Sequence, residues 1–279
     1  IDAFLQAEQL IRDHCTGHRW ELATCQIFTL FAHALHGSVR EVTERLPALV
    51  EEANACGDLY SATTLQVSLC FYPYLARDEP DLAYRAIDAA LARWSAGGFH
   101  LQHANTLNAR VSIDLYVGDS ARAAERIRTQ WAALQRSLVL RAQIMRSLLV
   151  PTRARVLVAE AARTPTGARA RLAEAEHVAR KLEREGADHL VGQGQGVHAS
   201  VALVRGDREL AVELLADAEQ TLDRAGVRLG AATYRYARGR LIGGDEGATL
   251  LARAEAFMAA QALHDPVRLT RMYVPGMPA

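Results

Sequence analysis

The chain has 279 residues, half of them hydrophobic, and its 32 Lys+Arg balance its 32 Asp+Glu to a formal net charge of zero. That apolar fraction excludes a disordered chain, and the charge balance speaks against nucleic acid, whose binding needs surplus cations to displace counterions. The longest apolar runs, such as Ile27 to Leu35, fall far short of the roughly 20 residues that cross a bilayer, so no membrane partner is expected.

The chain opens at Ile1 rather than Met and shows no cationic and apolar leader, which reads as a segment of a longer polypeptide. Four residues near the start, His14, Cys15, His18 and Cys25, invite a zinc reading, because His14 and His18 stand one helical turn apart. Gly17 is expected to end a helix between them, and Cys25 falls on the next helix facing its own core, so no metal and no cofactor is assigned. The same reading serves His33 with His36. The cysteines Cys15, Cys25, Cys56 and Cys70 form no CxxC pair and sit in helix-like patterns as small hydrophobes. That usage suits a reducing cytoplasm. Lys181 is the only lysine, an arginine bias that fits a GC-rich bacterial gene.

From Gly37 onward a unit recurs. Gly37-Ser38, Arg77-Asp78, Gly118-Asp119, Thr166-Gly167, Gly206-Asp207 and Gly244-Asp245 each follow one apolar segment and precede another. From Gly37 through Arg77, Gly118, Gly167 and Gly206 to Gly244, the steps are 40, 41, 49, 39 and 38 residues. Five residues past the first five markers come Val42, Leu82, Ala123, Leu172 and Ala211, and four further on Leu46, Ala86, Ile127 and Leu215. Such spacing lines one helix face for burial. Glu176 breaks the pattern in the fourth unit and Thr249 in the sixth. The Asp or Ser beside most markers is a good N-cap, and the glycines at Cys56-Gly57, Gly97-Gly98, Glu185-Gly186 and Ala225-Gly226 mark the exits. No stretch alternates at period two. The expectation is one all-α array over 1–279, a solenoid of antiparallel helix pairs with about 40 residues per repeat and about a dozen helices. Pro165 and Gly167 interrupt helix in the longer spacer, so a hinge is expected near 162–167. On this register Leu82 is buried.

Three stretches carry candidate function. Residues 98–114 hold His100, Gln102, His103, Asn105, Asn108, Arg110 and Asp114 on a first helix, with His103, Thr106, Arg110 and Asp114 forming one stripe. The stripe reads either as a solvated face or as a binding surface. Between positions 136 and 171 eight arginines, among them Arg146, Arg153 and Arg155, meet one acidic residue, Glu160. That excess suits an acidic or phosphate-bearing partner, or is a solvated face. The run Val191-Gly192-Gln193-Gly194-Gln195-Gly196 lacks the spacing, preceding strand and lysine of a phosphate loop. Close helix packing explains it better.

The stretch Gly206-Asp207-Arg208-Glu209-Leu210-Ala211 to Ala218 resembles the second half of a tetratricopeptide repeat, and Gly118 to Ile127 is similar. Segments such as Cys15 to Glu21, Gly57-Asp58-Leu59-Tyr60, Gly98 to His103 and His264 to Arg268 resemble the C-terminal region of large bacterial serine/threonine protein kinases that carry a central switch ATPase. The resemblance implies a regulatory or sensing region of a kinase-type signalling protein. No phosphate loop and no HRD or DFG triplet occurs here, so the chain itself is not expected to be an enzyme, and no catalytic residue is assigned. The partner expected is a protein or peptide, or another domain of the same polypeptide, bound on the concave face near His100, His103, Arg110, Asp114, Arg146 and Arg153. The alternative is a small molecule held between first helices near 100–114.

Overall fold

The marker turns build the array. The computed structural model describes residues 1–277, and among them are fifteen α-helices, one 3-10 turn at Val139–Arg141 and no strand. At Gly37, Gly118 and Gly206 the backbone enters the left-handed region, with φ of 91°, 82° and 85°. The next residue then donates its N–H five residues back: Ser38 to His33 O, Asp119 to Asp114 O and Asp207 to Ala202 O. This closes each first helix. Asp119 and Asp207 then cap the second helix through their carboxylates, accepting from Arg122 N and Leu210 N.

Six helix pairs result. The first helices are α2 (Arg19–His36), the broken α4–α5 (Leu59–Leu69 and Phe71–Ala76), α7 (Leu101–Val117), α9 (Gln143–Arg163), α11 (Asp188–Arg205) and α13 (Arg228–Ile242). The second helices are α3 (Val39–Ala55), α6 (Pro80–Ala92), α8 (Ser120–Arg136), α10 (Ala168–Arg184), α12 (Arg208–Arg224) and α14 (Gly244–Ala260). Helix α1 (Asp2–His14) precedes the pairs and α15 (Pro266–Tyr273) follows them. Each second helix from α3 to α12 packs between its own first helix and the next one, α14 packs on α13, and the first helices from α2 to α11 also touch in sequence. The break at Cys70 follows from Pro73, which has no N–H for Leu69 O.

The second unit corrects the register. Its left-handed residue is Asp78, with φ 59°, and Glu79 N donates to Tyr74 O in the pattern of the glycine turns. Asp78, not Arg77, is therefore the counterpart of Gly37, and everything after it moves by one residue. Ala83 and Ile87 are fully buried, while Leu82 is 37% exposed. Ile87→Ala should therefore cost about 2–5 kcal/mol, and Leu82→Ala should stay within about 0.5 kcal/mol of the parent. Urea denaturation of the two variants checks this, and equal losses would restore the original register. In the fourth unit the buried set is Leu172, Ala175, Ala179 and Leu182; Glu176 turns out to Arg205 at 2.6 Å, which holds its carboxyl below the usual range. In the sixth, Gly239 and Gly247 meet backbone to backbone, and a Cβ on Gly247 would lie 2.6 Å from Gly239 O. The burial therefore falls on Gly247, Leu250, Ala254 and Met258, and not on Thr249.

The extra residues of the long step lie in the α8–α9 connection and in α9 itself, which runs for 21 residues. The turn before α10 is tied down, because Arg171 donates to Thr164 O and Thr166 O.

The array closes on itself. A Cβ on Gly37 would lie 2.6 Å from Leu229 N, so the turn after α2 sits against the start of α13. Arg40 N donates to the Gln261 side chain across the same junction. The accessible surface is 12495 Å², near the roughly 11,800 Å² expected of a compact monomer of this mass. An open superhelix would expose considerably more.

Candidate functional site

Helix α15 completes the closure. Pro266 begins it with a suitable φ, and Asp265 caps it by accepting from Arg268 N at 2.8 Å. The approach to it is pinned where His264 N donates to Ala76 O at 2.9 Å. Arg268 donates to Asp78 Oδ1 at 2.8 Å, and the Tyr116 hydroxyl donates to the same oxygen at 2.9 Å. These bonds explain an aspartate at a turn where the other units use glycine. Because α15 packs on α7 and α13, both first helices, it lies on the concave side.

Where the first helices converge beneath α15 there is a cavity of about 70 Å³. Its polar lining includes Asn108 and Ser112 from α7, Thr152 and Arg155 from α9, Gln193 from α11 and Tyr273 from α15. Arg155 is 8% exposed. It donates through Nη2 to Gln193 Oε1 at 3.1 Å, and its guanidinium lies 4.7 Å from the centre of the Tyr273 ring. Its Nε has no hydrogen-bond partner among the described residues. The Thr152 hydroxyl sits between Leu148 O at 2.8 Å and Asn108 Oδ1 at 3.0 Å, which fixes the plane of the Asn108 amide. Burial pushes the phenols of Tyr72, Tyr234 and Tyr273 up, and the charge of Arg155 opposes this only in part. The phenols stay neutral, so Arg155 is the one charge on the wall. The lining has hydroxyls but no histidine or carboxylate to take a proton from them. It offers hydrogen bonds and a fixed positive charge.

The sequence-derived candidates lie elsewhere. Backbone His100 N donates to His103 Nδ1 at 3.0 Å, and Trp94 Nε1 donates to His100 Nδ1 at 3.0 Å, so this pair shapes the start of α7. Burial, then the neighbouring His100, lowers the pKa of His103. Arg110 pairs with Asp88 on α6. Asp114 is wholly buried and accepts from Tyr84 of α6 and from Arg122 and Arg126 of α8. The His103–Asp114 stripe thus turns toward the second helices. The concave side of α7 carries Asn105, Asn108 and Ser112. Arg146 reaches Leu140 O, Arg141 O and Glu185, while Arg153 joins Glu174 and stacks 4.9 Å from the Trp131 ring. Much of the arginine excess is met within the chain, and Arg155 is the member of that stretch turned into the cavity. Among the described residues no three His, Cys, Asp or Glu side chains converge to hold a metal ion.

Reading the sequence did not pick out Gln193, Tyr72 or Tyr273. Gln193 was in view only as part of the glycine run. No spacing separates these three from other half-buried polar residues, because what sets them apart is convergence of helices far apart in the chain.

Fold and cavity define an all-α array of helix pairs with a small recess where its first helices converge. No protein-family model matches the chain, and no curated protein or solved structure shows significant similarity to it.

Proposed function

We propose that the chain is a non-catalytic regulatory or sensing module of a multidomain bacterial signalling protein, kinase-type as the resemblance implies, and that it encloses a small molecule between its first helices. The cavity carries this reading. It is a mixed apolar and polar recess, bounded mainly by first helices from across the array and lined on one side by Met272 and Tyr273 of α15. A ligand there bears on residues from both halves of the chain and on α15, which is what a sensor needs in order to pass on occupancy. Among the described residues no helix is long and apolar enough to cross a membrane. The four unpaired cysteines fit a cytoplasmic setting.

A protein or peptide partner remains the second reading, with a different place for it. The concave side is taken up by α15, whereas a groove of about 490 Å³ lies open on the outer side between α3, α5 and α6, lined by Leu46, Pro47, Val50, Tyr74 and Ala86. Other domains of the same polypeptide would reach that side without displacing anything.

The test is a thermal-shift screen of small metabolites on the full chain, repeated on Ser112→Leu, which fills the cavity wall from α7. Ligands that raise the wild-type midpoint should lose their effect in the variant, with helical content unchanged by circular dichroism. Full retention of every shift would place the ligand outside the chamber and end this reading.

A further inference from the structure

We infer that the chamber is an anion site, in which a carboxylate or phosphate group binds the Arg155 guanidinium. This rests on the small-molecule reading and names the chemical class of the ligand.

Two arginines of the described chain are nearly inaccessible, Arg155 at 8% and Arg235 at 9%. Arg235 is compensated, donating to Glu219 at 2.7 Å and to Asp223 at 2.8 Å. Arg155 has no carboxylate within 4.0 Å among the described residues. Every element around it supplies neutral groups only: Tyr72 from α5, Asn108 and Ser112 from α7, Thr152 from α9, Gln193 from α11, Tyr234 from α13 and Tyr273 from α15. Taking a cation out of water costs several kcal/mol, and a neutral acceptor with an aromatic face returns only part of that. The guanidinium has five N–H donors in a rigid fork; Nη2 donates to Gln193 and the Tyr234 hydroxyl also lies within hydrogen-bonding reach, so both partners are neutral. Its Nε–H is buried and unused. A carboxylate or a phosphate presents two oxygens that satisfy that fork in two parallel bonds and offset the charge.

The space agrees. One water needs about 10–15 Å³ on the same measure, so about 70 Å³ has room for a carboxylate or a phosphate group. Asn108, held in plane by Thr152, and the phenol of Tyr273 stand ready as further donors. Because Tyr273 belongs to α15 and Arg155 to α9, a bound anion would draw the closing helix onto the array. Occupancy would then be read as order in residues 263–277.

The test is the thermal midpoint of the full chain at constant ionic strength in chloride, titrated separately with inorganic phosphate, with acetate and with a panel of neutral sugars and amides. The expected result is a saturable rise with phosphate or acetate, about 5 °C or more at a hundredfold excess over Kd, which Arg155→Met abolishes. Whichever anion acts identifies the source. Hydrogen exchange within 266–273 should slow with the same anion. Equal responses of wild type and Arg155→Met, or no response of wild type to either anion, would overturn the inference. If neutral compounds alone act, and Ser112→Leu removes their effect, the anion class fails while the small-molecule reading stands; if nothing acts, both fail. Should Arg155→Met not fold, the ³¹P linewidth of phosphate serves with wild type. Saturable broadening of the phosphate signal, or of the acetate methyl proton signal measured alongside it, supports the site, and unchanged linewidths for both anions overturn it.

Discussion

Gly196→Leu should lower the melting midpoint by about 5–10 °C, a loss of about 2–4 kcal/mol. The three glycines of α11 are two residues apart, and on a helix each such step turns the side-chain direction by about 200°. Gly194 therefore faces away from Gly192 and Gly196, which share a face one turn apart and meet successive neighbours along it. A Cβ on Gly192 would lie 2.5 Å from Leu222 of α12, one on Gly194 would lie 2.9 Å from Ala179 O of α10, and one on Gly196 would overlap the ring and hydroxyl of Tyr234 on α13. Tyr234 is fully buried and cannot move aside. Even Gly196→Ala tests the sign. Helix propensity alone would make it about 1 kcal/mol more stable, whereas the contact requires it to be less stable. Calorimetry of the alanine variant decides between these, and a raised midpoint would mean that α11 and α13 stand farther apart than described.

The second large effect lies at the closure. Tyr116→Ala should cost about 3–5 kcal/mol, since it empties a fully buried site and removes the bond that orients Asp78. Tyr116→Phe isolates the hydroxyl and should cost only about 1–2 kcal/mol. Burial, then the bond to Asp78, raises the phenol pKa, so the hydroxyl stays a donor at ordinary pH. In both variants Arg268 loses part of its anchor, and α15 should become open to limited proteolysis before the rest unfolds. Cleavage starting in α3 or α12 with α15 intact would contradict that role.

The turns were legible in the residues because each is local. Gly37, Gly118 and Gly206 need a left-handed backbone, and Asp119 and Asp207 cap the second helix of their pairs, all within a few positions. Asp78 was misplaced by one because an aspartate can take the left-handed turn usually given to glycine, and its reason for being there, Arg268, lies 190 residues away. Closure was not legible for a related reason: it depends on rotation accumulated over six pairs, which no single repeat encodes. On α7 the stripe chosen from sequence, His103 to Asp114, is as polar as the one facing the chamber, Asn105 to Ser112. Only the position of α6 and α8 tells the two apart. Arg155 stood in view among the arginines of 136–171, but its distinction is a missing carboxylate, and that can be judged only after its neighbours are assembled.

Six helix pairs close into a compact array with α15 on the inner side, so that no open concave wall is left. Small-angle X-ray scattering of the monomer tests this closure most directly. A closed array of this length should give a radius of gyration of about 19 Å with a single symmetric distance distribution. A value of about 25 Å or more, with the long tail of an extended superhelix, would contradict the closure and remove the chamber with it.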